Sequence, residues 1–196
     1  MGEIISIFVS AVLIENIILS QFLGICPFLG VSKKTSNAIG MGAALTFVVL
    51  MSSILSYLIN NLILVNLGLE YLQLVVFILV IATFVQLVEF ITKKYMPSLY
   101  KALGVFLPLI TTNCVVLNVA LTVSGFTNGV ANFSFLTMLV YALSISIGYV
   151  FVIVLFSFIR TRLDANGVPA PFQGNAIGLI TAALMALAFA GFAGIV

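Results

Sequence analysis

Two cysteines are the residues of this chain that are best suited to chemistry. Cys26 lies in QFLGICPFLG (21–30) and Cys114 in LGVFLPLITTNCVVLN (103–118), and the 196-residue chain has no other cysteine and no histidine. Without histidine, a catalytic triad, a His-ligated zinc and a His-ligated haem are closed to this chain acting alone. Three interpretations of the thiols stay open: packed apolar side chains, a disulfide, or two thiolate ligands of a metal.

Metal ligation by this chain alone would be incomplete, because a [2Fe–2S] cluster takes four ligands and two thiolates are half of them. Both cysteines follow segments that are poor interior helix, with Gly24 and Pro27 around the first and Gly104 and Pro108 before the second. Backbone breaks at membrane depth are tolerated where they are buried in protein or line a cavity. The pattern therefore predicts two broken helices with both cysteines inside the protein, next to free N–H groups that can bind thiolates or sulfides.

Glu15 is the other chemical candidate, since it lies in the middle of a long apolar stretch and is followed by Asn16. A carboxylate at that depth costs at least about 2.5 kcal/mol, so an intramembrane Glu indicates function. It is a candidate for coupling to Na⁺ or H⁺. The alternative is a hydrogen-bonded Glu that holds two helices or two subunits together.

The elements that must position these residues are transmembrane helices. Apolar residues make up 63% of the chain and charged residues 6%, whereas soluble domains have about 25% charged residues. Lipid must therefore cover most of the surface, and the seven scattered basic residues do not form a nucleic-acid footprint. A span needs roughly 20 apolar residues, which predicts one transmembrane domain over 1–196 with six spans near 4–23, 38–60, 71–92, 101–124, 132–159 and 174–194.

The basic residues predict the orientation of these spans. All seven fall in the first, third and fifth loops, which are Val31–Asn37, Thr92–Tyr100 with the adjoining Lys101, and Arg160–Gln173. By the positive-inside rule these loops are cytoplasmic and both termini are outside.

Three spans on each side of the third loop give halves of opposite polarity, as in inverted-repeat transporters. A weak repeat aligns Phe22–Val31 with Ile110–Val119 and matches Cys26 to Cys114. The predicted fold is therefore all-α and integral to the membrane, with a 3+3 inverted repeat whose first and fourth helices are broken.

The strings ENIILSQFLGICPFLGVSKK (15–34) and LPLITTNCVVLNVAL (107–121) resemble the RnfA family, and the similarity extends over essentially the whole chain. Members of this family are A subunits of the Rnf complex in bacterial or archaeal plasma membranes, and they are similar to the E subunits of the Na⁺-pumping NADH:quinone oxidoreductase, Nqr. The resemblance implies a subunit of a translocase that passes electrons between ferredoxin and NAD⁺ and moves Na⁺ or H⁺. The chain would not be catalytic alone.

The resemblance also implies the ligands and the partners. Cys26 and Cys114 would hold half of a [2Fe–2S] cluster, and a paralogous E-type subunit in inverted orientation would supply the other two cysteines. Thr112 and Asn113 would be candidates to hydrogen-bond the cluster sulfurs, and the B, C, D and G subunits would complete the assembly. Three alternatives are an Nqr E-type subunit, a small non-redox transporter built on an inverted repeat, and a purely structural assembly subunit.

Overall fold

A computed structural model describes residues 8–14, 16–32, 35–64, 70–95, 109–110, 113–123, 135–165, 169 and 174–191. Within these ranges the chain forms helices and turns and no strand, which confirms the all-α prediction. Short π-helical turns cover Ser10–Ile14 and Asn60–Leu64, and a 3₁₀ turn covers Glu70–Leu72. The α-helices are α1 (Ile25–Val31), α2 (Thr35–Ile59), α3 (Gln73–Tyr95), α4 (Cys114–Val123), α5 (Phe135–Ala165) and α6 (Asn175–Ala190).

Three helical stretches are long and apolar enough to cross a membrane. They are Thr35–Leu62, Gln73–Ile91 and Phe135–Leu163, with mean hydropathies of 2.1, 2.7 and 2.5. They confirm long apolar helices at the second, third and fifth predicted spans. The fourth and sixth predicted spans contain the shorter apolar helices α4 and α6, and 101–108 and 192–196 lie outside the described residues.

The exposed side of α3 shows what surrounds the protein. Phe77, Ile81 and Val85 recur every four residues and are buried, so they form the inner face of the helix. The other sides expose large apolar residues: Leu74, Val75, Ile78, Leu79, Leu87, Phe90 and Ile91. A helix in water would carry polar residues there, so this surface is built for lipid or for a protein partner.

The first predicted span is interrupted before Cys26. Residues 17–21 and 23–24 form turns, and Phe22 (φ 55°) and Gly24 (φ 78°) adopt left-handed backbone conformations. Pro27 is not the cause of this break. It lies in the first turn of α1, where an N–H has no helical partner to lose and proline is tolerated.

The predicted start of the fifth loop, at Arg160, is wrong. The helix α5 continues to Ala165, and Arg160 lies inside it, buried. Arginine is a good helix former, and the partners described below satisfy its guanidinium group there.

The chain divides into two compact units, Met1–Ala43 with Ser144–Val196 and Ala44–Leu143. The core of the first unit includes Phe28, Met41, Tyr149, Ile153 and Phe156, all fully buried. The core of the second unit includes Leu45, Phe77, Val115 and Met138, and α3 packs against α4 there.

Substitution of Gly42 can test the close packing of α2 against α5 in the first unit. A Cβ atom at Gly42 would lie 2.8 Å from Val150 Cγ2, so a larger side chain must displace the stiff Val150. We expect Gly42→Leu to lower the free energy of unfolding by about 1–3 kcal/mol, the usual cost of overpacking, as a reduced thermal midpoint in detergent. Gly191→Leu is the control, since a Cβ there meets nothing within 4 Å. Equal midpoints for the two variants would contradict the prediction.

Candidate functional site: two cysteine-bearing helices

Cys26 lies in the first turn of α1 and is an exposed, free thiol. Gly24 is the N-cap residue, and its carbonyl accepts the first helical hydrogen bond from Phe28 N at 3.3 Å. Its left-handed φ of 78° suits glycine, which lacks a Cβ. Because Pro27 and Phe28 are buried in the core, the helix presents Cys26 on its outer side.

Aromatic and aliphatic contacts hold α1 against α5 and α6. The rings of Phe28 and Phe156 stack with centroids 4.1 Å apart and planes 25° from parallel. A Cβ at Gly178 of α6 would lie 3.3 Å from Leu29 Cδ2, so glycine permits this close approach. Two turns of helix are too short to be stable alone in water, and these contacts therefore determine where α1 lies.

Arg160 contacts the other end of α1. Its Nη1 donates to the carbonyl of Leu29 at 2.8 Å and to Ser32 Oγ at 2.9 Å. The side chain is only 2% exposed, and its Nε has no partner among the described residues. Leu29 lies in the last turn of α1, whose carbonyls lack a donor within the helix, so a buried cation satisfies the end of the cysteine-bearing helix.

Asn16 organises the interrupted segment that leads into α1. Its Nδ2 donates to the carbonyls of Val12 and Gly148, each at 3.0 Å. Its Oδ1 accepts from Ile18 N at 3.2 Å, and the side chain is 1% exposed. One buried amide thus connects the segment before the break, the turn within it and α5.

Cys114 is the first residue of α4 and is also an exposed, free thiol. Asn113 precedes it, and its Oδ1 accepts from Val115 N at 3.0 Å, which is the side-chain contact of a helix N-cap. The Asn113 carbonyl accepts from Val116 N and Leu117 N. Its Nδ2 is buried and has no partner in the part of the chain that the structure describes.

The prediction that both cysteines lie inside the protein is not met within this chain. Both are exposed and free, which argues against a structural disulfide and against packing within either core. Cys26 belongs to the first unit and Cys114 to the second. Thr112 and Glu15 lie outside the described residues, and the described residues contain no group of three or more potential metal ligands.

Comparison with known proteins gives the family. A family model described as "Rnf-Nqr subunit, membrane protein" matches residues 4–196. The chain belongs to this family. Relatives of the chain include proteins of Serratia proteamaculans (53% identical), Erwinia tasmaniensis (51%) and Aliivibrio salmonicida (50%). Each alignment covers 100% of this chain and 99% of the relative, and each relative is named as the A subunit of an ion-translocating oxidoreductase complex.

Family membership confirms the predicted resemblance and a multi-pass membrane protein. Two residues of the site are not singled out by the sequence pattern. The positive-inside rule explains Arg160 as a loop residue. However, Phe156, Ser157 and Arg160 lie on one helical face, and this spacing would have indicated that the arginine lies on a packed surface. Asn16 stands out in the sequence only as the neighbour of Glu15.

The N-cap role of Asn113 can be tested by substitution. Asn113→Ala removes the acceptor for Val115 N and should destabilise the first turn of α4 by about 1 kcal/mol. Asn113→Ser keeps a capping oxygen and should cost much less. Hydrogen exchange of the peptide containing Val115–Leu117 measures this, with faster exchange expected in the Ala variant alone. Identical exchange in the Ala variant and the parent would show that the cap contributes nothing.

Proposed function

We propose that this Rnf-Nqr family member is the A-type membrane subunit of an Rnf ion-translocating oxidoreductase. It would act in passing electrons between ferredoxin and NAD⁺ with translocation of Na⁺ or H⁺. The support is full-length identity of about half to relatives that are all named as the A subunit of an ion-translocating oxidoreductase complex. The same name favours the Rnf assignment over an Nqr E-type subunit. The chain supplies part of a site and is not catalytic alone.

The single observation that carries the proposed site is the matched placement of two exposed, free thiols. Each lies in the first turn of a short helix: Cys26 in α1 and Cys114 in α4. An exposed thiol on a membrane protein is accessible to a second chain, which can supply the remaining ligands of a metal site. We therefore assign Cys26 and Cys114 as two ligands of a [2Fe–2S] cluster, with two further cysteines from a paralogous E-type subunit.

The residues around the thiols fit such a group. Thiolates are the usual ligands of iron–sulfur clusters, and the described residues hold too few donors to complete a metal site within this chain. When bound, the cluster would accept and release one electron at a time. The buried Nδ2 of Asn113, which lacks a partner in the described ranges, is a donor for a cluster sulfur, and Thr112 is proposed for the same role from its position.

The proposed topology accounts for a partner of opposite orientation. In this topology six spans form a 3+3 inverted repeat with both termini outside, as the basic loops predict. A paralogue inserted in the reverse sense would then present its own two cysteines toward Cys26 and Cys114. Other subunits of the B, C, D and G types would complete the assembly.

Substitution of the thiols tests the site directly. In the purified complex, Cys26→Ser and Cys114→Ser should each abolish the reducible [2Fe–2S] signal in electron paramagnetic resonance and lower the iron content. The reason is that each change removes a soft thiolate ligand. Electron transfer from ferredoxin to NAD⁺ should be lost in parallel. Met51→Ala, at an exposed residue of α2, is the control and should keep signal and activity.

Three outcomes separate this proposal from its competitors. An assembled complex that keeps the full spectrum in both cysteine variants would reject ligation and favour a scaffold. Solute flux through the chain alone in vesicles, with no iron in the purified pair of subunits, would favour a small transporter. Loss of signal in only one variant would restrict ligation to one thiol.

Glu15 is proposed to couple ion movement to electron transfer, because an intramembrane carboxylate is costly unless it is used. Glu15→Gln should keep ferredoxin-dependent NAD⁺ reduction but reduce the Na⁺ or pH gradient formed by inverted vesicles. Glu89→Gln is the control, since Glu89 lies near the Lys93–Lys94 end of α3. Gradients of equal size in both variants would remove Glu15 from the coupling mechanism.

A further inference from the structure

We propose that Arg160 is a positioning residue that holds the helix bearing Cys26 in place through the C-terminal end of that helix. This inference rests on the proposed ligand role of Cys26 but concerns a residue that does not touch the cluster. Arg160 donates from one nitrogen to two acceptors, Leu29 O and Ser32 Oγ, at 2.8 and 2.9 Å. The two acceptors lie three and six residues after Cys26.

The helix α1 needs an external support of this kind. It has seven residues, and its N-cap Gly24 makes no side-chain hydrogen bond. It follows a segment with two left-handed residues, Phe22 and Gly24. A helix this short gains little from its own hydrogen bonds, so its direction is set by what contacts it.

One face of α5 contacts both α1 and the first residue of α2. Phe156 stacks on Phe28, Ser157 and Thr35 share a hydrogen bond at 3.1 Å, and Arg160 reaches the end of α1. The Arg160 side chain is 2% exposed, so losing it would leave the Leu29 carbonyl without this partner in a site that water does not reach freely. A buried charged side chain also resists displacement, because moving it breaks the hydrogen bonds that compensate for its desolvation.

Arg160 is expected to limit the mobility of Cys26, because its described contacts are with Leu29 and Ser32, whereas Cys114 lies on α4 in the other unit. This contrast gives an internal control within one chain. Arg162 provides a second control, because it is basic, lies in α5 and is exposed. Replacing Arg162 removes the same positive charge from the same region without touching α1.

The experiment measures the rate of thiol alkylation in membranes that contain the assembled complex, after removal of iron with a chelator. Cys114→Ser leaves Cys26 as the only thiol of this chain, and Cys26→Ser leaves Cys114. In the first background Arg160→Met should speed alkylation of Cys26 by about tenfold, since loss of a charge-assisted hydrogen bond shifts local opening by that order. Alkylation of Cys114 should be unchanged, and Arg162→Met should change neither rate.

Equal rates at Cys26 with and without Arg160→Met would overturn the proposal, and so would an equal rise at both cysteines. If the Met variant does not accumulate, Arg160→Lys takes its place. It keeps the charge but not the guanidinium geometry, so a smaller rise confined to Cys26 is expected, and no rise would reject the role.

The cluster signal of the iron-loaded complex separates the two proposals. With Cys114 present, Arg160→Met should shift the midpoint potential or line shape of the [2Fe–2S] signal, while Arg162→Met should not. A wild-type complex without a cluster would defeat the proposed function, yet the alkylation rates would still decide the role of Arg160. Unchanged alkylation with a normal wild-type cluster would defeat the positioning role alone.

Discussion

Where water is absent, a polypeptide that leaves the helical conformation must find partners for its own backbone groups within the protein. In this chain the constraint falls on the segment from Asn16 to Ser32, which interrupts a helix and restarts it just before Cys26. Asn16 donates to the Val12 carbonyl before the interruption and to the Gly148 carbonyl of α5. Arg160 satisfies the far end through Leu29 and Ser32. The position of the first thiol depends on these two buried side chains together with the apolar contacts of Phe28 and Leu29.

The second thiol is held by a different and more local device. At α4 the residue directly before Cys114 caps the helix, with Asn113 Oδ1 on Val115 N. At α1 the cap is Gly24, which offers no side-chain acceptor, and long-range bonds from α5 take over. Each helix thus carries its cysteine in the first turn, but different contacts hold the two helices. Cys114 is held by its neighbours in sequence and Cys26 by distant residues, as the Arg160–Leu29 separation of 131 positions shows.

Much of this was predictable from the sequence, and the parts that failed have physical reasons. Long apolar runs predicted the helices that became α2, α3 and α5, because hydropathy and length alone determine whether a segment suits lipid. The break near Cys26 was expected from Gly24 and Pro27, and only Gly24 lies in it, since a sequence does not reveal that a proline occupies a first turn rather than an interior one. The helix-break pattern did not predict exposure of the cysteines, because burial by a partner and burial within the chain leave the same pattern of residues; only the shared cluster implied by the resemblance requires it.

Arg160 shows most clearly what could not be predicted from the sequence. Seven basic residues on one side of the predicted topology invite one explanation for all of them, the positive-inside rule. Arg162 fits that explanation, as it is exposed near the end of α5. Arg160 is two residues earlier, on the opposite side of the helix, and buried against α1. A charge is retained in such a place only if its hydrogen bonds compensate for desolvation, and here the acceptors belong to the helix that carries Cys26. Two arginines that look equivalent in the sequence therefore differ in kind: one faces the surroundings of the protein, and the other supports its proposed ligand site.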